Sequence, residues 1–202
     1  MTVNKSKDID YHSQRNNLIV PFESCNTTSA IMALKQARIH VREVEGRQPE
    51  DVLSELLRTN EAYDEMKIRA PWAFDFTGPV YPPQQVHTML EWGVNKYIGE
   101  DVDTFGTHWV REDLLAEINL GGGVILSGVF PMNNRGELRH IVSLAGYSRN
   151  GEWLWIIDDP YGNWHTGYKD HHGNNVPLSV EEFDTIFLRR SNTYWAHMVR
   201  KT

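Results

Sequence analysis

The sequence predicts an α+β protein, a helical N-terminal part packed on a C-terminal antiparallel sheet. Two observations lead there. Helical spacing dominates residues 26–118, whereas beyond residue 124 short apolar runs rich in β-branched and aromatic residues alternate with turn signals. Between two of those runs lies Asn150-Gly151, a dipeptide that tolerates positive φ at both positions and so favours a hairpin over a crossover helix.

The elements follow in order. Residues 1–12 are polar and read as a loose tail. Residues 26–40 carry Ala30, Ala33, Leu34 and Ala37 at helical spacing, and Gly46 and Pro49 end the pattern. Residues 48–66 read as a second helix, opened by Pro49 with Glu50 and Asp51 in its first turn. A third spans 82–94 with Gly93 near its end, and a fourth spans 110–118, closed by three glycines. Strands are expected over 124–130, 140–147, 152–158 and 193–199. Residues 159–177 are rich in Gly, Pro, Asn and His and read as a long loop. Ser179 and Glu182 form a capping box that opens a short helix. The whole reads as one domain over 1–202, with a helical insert at about 41–120.

Bulk chemistry narrows the function. A net charge of −7, with no long basic run, argues against nucleic acid as the main partner. A single cysteine forms no internal disulfide, so folding needs no oxidising compartment. The polar start carries no signal peptide and no run is long enough to span a membrane, so cytoplasmic synthesis is expected. On later release by a non-classical route, or in a phage context, and on oligomeric state, the sequence is silent.

That cysteine, Cys25, stands at the polar entrance of the first helix, followed by Asn26, Thr27, Thr28 and Ser29. These are poor mid-helix residues but good near a helix start. A helix N-terminus favours the thiolate, which is the nucleophilic form. By itself the placement also suits a small buried hydrophobe. A nucleophile needs a base, and His140 begins an apolar strand whose rigidity would hold an imidazole in place. The base needs an acceptor to orient it. With a two-residue turn at Asn150-Gly151, cross-strand partners sum to 301, which puts Asp159 on the face of His140 and Asp158 on the other. A three-residue loop would reverse that choice. Gln14, ahead of Cys25, is a candidate side-chain donor to an oxyanion.

The ordered set "YHSQRNN…ESCNTTSAIMAL", "HIVSLAGY" and "IDDPYGNW" resembles the papain-like cysteine peptidases of the bacteriocin-leader-processing type. The resemblance covers roughly 11–40 and 122–165. It implies a papain-like fold with Cys25 as nucleophile, His140 as base, Asp159 as its orienter and Gln14 at the oxyanion. It also implies hydrolysis of a peptide amide with no cofactor. The amide would belong to a bacterial cell-wall peptide or to a protein or leader peptide. Two other classes share the pattern, a non-catalytic binding module and an acyltransferase.

Other features carry less. Asp170, His171 and His172 are a weak metal motif in a polar loop, and no metal site is assigned. Trp164 follows the Asp-Pro-Tyr-Gly turn and would wall the site. Residues 70–83 hold four prolines and four aromatics, Trp72, Phe74, Phe76 and Tyr81. Prolines exclude a continuous helix there, and Trp72 and Tyr81 would line the substrate side of a cleft.

Overall fold

A computed structural model of the chain describes residues 1–72, 83–132, 136–189 and 192–201. The elements run β1 (Thr2–Asn4), α1 (Cys25–Gln36), α2 (Pro49–Leu56), α3 (Asn60–Arg69), α4 (Pro83–Ile98), β2 (Asp103–Trp109), α5 (Arg111–Asn119), β3 (Gly123–Met132), β4 (Gly136–Ser148), β5 (Leu154–Asp158), β6 (Val176–Ser179), α6 (Val180–Phe187) and β7 (Tyr194–Val199). The expected α+β architecture is present. The strands form one antiparallel sheet in the order β2-β7-β3-β4-β5-β6, with β1 added against β4.

Helices cover both faces of the sheet, and strand alternation decides which residue meets which layer. On one face, Ile125, Ile141 and Val199 pack against Ala30, Ala33 and Leu34 of α1, with Leu53, Leu90 and Val94 behind them. On the other, Leu126, Val142, Leu144 and Ile157 meet Leu114 and Ile118 of α5 and Phe183, Ile186 and Phe187 of α6. Helix α1 lies close against β3: a Cβ at Gly123 would collide with the Ala33 carbonyl. No helix among the described residues is long and apolar enough to cross a membrane.

Several expectations change. The second helix is two, because the Thr59 hydroxyl accepts the Ala62 N–H at 3.2 Å and caps a new start. Gly93 lies within α4, where its missing side chain leaves room for Leu57. The region 41–120 is not purely helical, since β2 extends the sheet beside β7. The N-terminal residues are no loose tail. Thr2 to Asn4 pair with Ser148 to Gly146, the Lys5 N–H donates to the Ala145 carbonyl at 2.9 Å, and the Ser6 hydroxyl donates to Asp158. Tyr81, Phe74 and Phe76 lie outside the described residues.

The β4–β5 register is also more involved than a tight hairpin. Next to the loop, Ser148 pairs with Leu154, which leaves 149–153 as a five-residue connection. A bulge between Leu144 and Gly146 then shifts the pairing, so that Leu144 opposes Ile157 and Ser143 opposes Asp158. Beyond the bulge the sum returns to 301. Asp159 therefore falls on the His140 face, as the two-residue turn would have placed it.

Candidate active site

Cys25 is half-buried in the first turn of α1, where backbone N–H groups lack intrahelical acceptors. Thr27, Thr28 and Ser29 after it are buried and act as bolts. Thr27 shares a hydrogen bond with Ser54 of α2 at 2.8 Å, and the Ser29 hydroxyl donates to the Ile141 carbonyl at 2.9 Å. Asn17 donates to Ser24 at 2.8 Å and to Thr28 at 2.9 Å. The start of α1 is thereby fixed to the strand that carries His140, one residue before Ile141.

His140 is buried on β4, and its Nε2 lies 2.6 Å from Asp159 Oδ1. With Nε2 engaged, Nδ1 is the ring nitrogen left for the Cys25 side, and a hydrogen bond with Cys25 contributes to the histidine's charge state. Burial pulls the imidazole pKa down, but the charge and hydrogen bond of Asp159 and those of Cys25 outweigh it and push it up to about 10. An imidazolium beside a thiol at a helix start is the arrangement that sustains a thiolate.

Asp159 is fully buried and accepts from three sides. The Tyr161 N–H donates to Oδ1 at 2.9 Å and the Tyr168 hydroxyl to Oδ2 at 3.3 Å, besides His140. Its own N–H donates to the Gly173 carbonyl at 2.8 Å, and a side chain at Gly173 would strike the Asp159 carbonyl. Tyr168 holds a left-handed backbone at φ 61°, which costs a non-glycine residue roughly 1–2 kcal/mol. Asp158 points to the opposite face, where it accepts from Ser6, from Gln36 Nε2 at 2.9 Å and from the Asn175 N–H at 2.8 Å.

Gln14 is buried in a short 3-10 turn pinned to the same loop. Its N–H donates to the Pro160 carbonyl at 2.9 Å, and Arg15 Nε donates to the Tyr161 carbonyl at 2.6 Å. Gln14 Nε2 donates to the Pro21 carbonyl at 2.9 Å, which occupies one of its two hydrogens. Gln14, Cys25, His140, Tyr161 and Tyr168 line one cavity of about 530 Å³. On its other side the Cys25–His140 pair borders a second cavity of about 370 Å³, among Val86, His87, Val129 and Trp195. A third, of about 500 Å³, runs from Ser24 and Asn26 to Tyr63 and Met66 of α3.

Four of the residues expected from the sequence thus come together: Gln14, Cys25, His140 and Asp159. Two do not join them. Trp164 lines neither cavity shared by Cys25 and His140 but packs behind them, its ring 6.1 Å from Phe130, which in turn edges His140 at 5.4 Å. Trp72 is 41% exposed and also lines neither cavity. Tyr161 and Tyr168, which pack around the imidazole with ring centroids 6.3 and 6.5 Å away, were not singled out. Tyr161, inside the Asp-Pro-Tyr-Gly turn, carried a positional signal; Tyr168, in an irregular loop, carried none.

A family model described as the Peptidase_C39 like family matches residues 6–193, and the chain belongs to that family. Among solved structures, a candidate C39-like peptidase from Bacillus anthracis is similar at 19% identity and a TM-score of 0.59, covering 100% of this chain and 98% of that one. The digestive procathepsin L2 proteinase from Tenebrio molitor larval midgut is similar at 11% identity and a TM-score of 0.49, covering 100% of this chain and 68% of that one. No curated protein matches. The fold is papain-like, and the chain is a cysteine peptidase of this class.

Proposed function

We propose that the chain hydrolyses a peptide amide with Cys25 as nucleophile, His140 as general acid and base, Asp159 as the orienter of His140 and Gln14 at the oxyanion. The observation that carries this reading is the buried His140, bonded through Nε2 to Asp159 at 2.6 Å and lining the same two cavities as Cys25. The thiolate attacks the amide carbonyl, and the C–N bond breaks as the imidazolium gives its proton to the leaving amine. A thioester remains. The now neutral His140 takes a proton from water, hydroxide adds to the thioester, and the thiolate departs to restore the ion pair. The Cys25 N–H and the free hydrogen of the Gln14 amide face the developing oxyanion.

Incubation with purified peptidoglycan and, separately, with casein tests the reading. Release of new amines from one of them, lost after Cys25 is blocked with iodoacetamide, supports it and separates cell-wall stem peptides from protein chains as the substrate. Intact substrates in both arms, with Cys25 fully reactive, would sink the hydrolytic reading.

Helices α1 to α4 bring a third cavity to the residues flanking Cys25, which supports a share for the helical region in substrate choice. Trp72→Ala is expected to raise KM several-fold while leaving Tm unchanged, since a side chain this exposed leaves no core void when removed. A lowered Tm with unaltered kinetics would show Trp72 to be a packing residue.

A further inference from the structure

The cavity on the far side of the Cys25–His140 pair has an unusual charge pattern. Its volume is about 370 Å³, small for a ligand site. Val86, Val129, Ile141 and Trp195 make most of its wall apolar, and Arg139 and Arg189 add positive charge to that of His140 at its edge. Neither arginine has a carboxylate partner among the described residues. Arg47, Arg69, Arg111 and Arg200 are each ion-paired, whereas Arg15, Arg38, Arg42, Arg58 and Arg149 are not, among the described residues; what sets Arg139 and Arg189 apart is that they share one largely apolar cavity. Arg139 also lines the neighbouring cavity, where Glu137, two residues along β4, joins it; Glu137 does not line this one.

Arg189 is the more informative of the two. One Nη2 hydrogen reaches the Ser127 carbonyl at 3.1 Å, and the guanidinium sits 5.4 Å from the Trp195 ring centre. Its Nε is buried and unpartnered among the described residues. A buried guanidinium donor without an acceptor is costly unless something supplies one. Burial, with repulsion from Arg139, lowers the Arg189 pKa, as expected for two like charges facing one another without a counterion. Of the other polar groups in the wall, Ser127 is uncharged and His87 adds no charge. Its Nδ1 is tied back to His197 at 2.9 Å, and His197 to Asp103 at 2.8 Å. Burial, with the nearby His197 and Arg189, keeps His87 neutral.

We infer that this cavity is a specificity pocket for an acidic side chain of the peptide substrate, with its methylenes against Val86, Val129 and Trp195 and its carboxylate between Arg139 and Arg189. The inference rests on the proposed peptide hydrolysis and adds the substrate class. A planar carboxylate answers the guanidinium fork, and glutamate is favoured over aspartate because the apolar wall needs a stem to cover it. Glutamine has the same shape without the charge, which makes it the proper control.

The test scans blocked alanine-glycine hexapeptides in which a single residue, glutamate, glutamine, leucine or lysine, is moved along the chain. Two readouts come from each sample: protection of Cys25 against iodoacetamide, and cleavage of the peptide, both by mass spectrometry. At one position, glutamate is expected to protect at about tenfold lower concentration than glutamine. Arg139→Gln, exposed on β4 and checked by Tm, is expected to shrink that ratio, and Arg139→Gln with Arg189→Gln to erase it. Arg139→Glu should turn the preference toward lysine. Equal protection by glutamate and glutamine at every position, or a ratio that survives the double substitution, overturns the pocket. Cleavage without any preference for glutamate also overturns it while leaving peptide hydrolysis in place. Glutamate-selective protection without cleavage does the reverse. A thiol that resists iodoacetamide together with uncleaved peptides overturns both.

Discussion

Replacing Cys25 by serine is expected to stop amide hydrolysis, a loss on the order of a million-fold, with little change in Tm. The size of the effect follows from the resting charge state. His140 holds its proton up to about 10, because Asp159 stabilises the imidazolium against the cost of burial. A thiol beside that cation can rest as a thiolate, already poised to attack. A serine hydroxyl cannot, since its proton would have to pass to an imidazolium that has no room for it. The geometry survives the exchange, because the Nε2 bond to Asp159 at 2.6 Å is made on the far side of the ring. Stability survives too, as Cys25 is half-buried and serine is nearly isosteric. Hydrolysis assays and melting curves on the same preparation check both halves. A serine variant that retains even a hundredth of the rate would mean that the resting His140 is a free base.

Much of this architecture was legible because periodicity is local. The strands β3, β4, β5 and β7 and the helices α1, α4, α5 and α6 announce themselves by spacing, caps and turn residues within their own sequence. The elements that escaped are those defined by partners. Strand β1 is three residues of a polar stretch, held by pairing with β4 and by buried bonds from Lys5 and Ser6. Strand β2, with Gly and polar residues in its run, owes its existence to β7 beside it, and β6 to β5. The break between α2 and α3 rests on a threonine cap inside a sequence whose charges favour helix throughout.

For the site, the residue types and their order were informative, whereas the distances were not. Cys25 drew notice as the lone cysteine at a helix start, and His140 as the first residue of an apolar strand. The choice of Asp159 came out on the right face although the loop is five residues long, because the bulge between Leu144 and Gly146 offsets the extra length. A bulge has no sequence code strong enough to anticipate here. Trp164 illustrates the converse. Its nearness in sequence to Asp159 suggested the cleft, but the turn at Gly162 carries it toward Phe130 and the core. The unpaired arginines were invisible for a simple reason: a missing partner is a property of three-dimensional neighbours, and Arg139 and Arg189 are far apart in the chain.

Asp159→Asn is expected to lower turnover by about 10²- to 10⁴-fold with the fold intact, and Asp158→Asn to change turnover by no more than a few-fold. Both carboxylates are buried and adjacent, so burial does not separate them; direction does. Asp159 faces His140, and an asparagine there can offer its amide hydrogens to Nε2, favouring the wrong tautomer. It also removes the charge that raises the imidazole pKa. The proton on His140 then leaves at lower pH, so the alkaline limb of the kcat/KM profile moves down from near 10. Stability shifts in the matching sense. A histidine whose folded pKa lies above 6.5 stabilises the fold fully below 6.5 and loses that contribution as the pH rises through about 10. The Tm gap between wild type and Asp159→Asn should therefore be widest below 6.5 and narrow toward 10. Asp158→Asn behaves differently. Its carboxylate ties Ser6, Gln36 and the Asn175 N–H together, and an amide group facing one of those donors leaves it unsatisfied, at a cost of about 1–3 kcal/mol. Tm falls while the pH profile keeps its shape. If turnover instead collapses in Asp158→Asn and the alkaline limb stays fixed in Asp159→Asn, Asp159 is not the residue that orients His140.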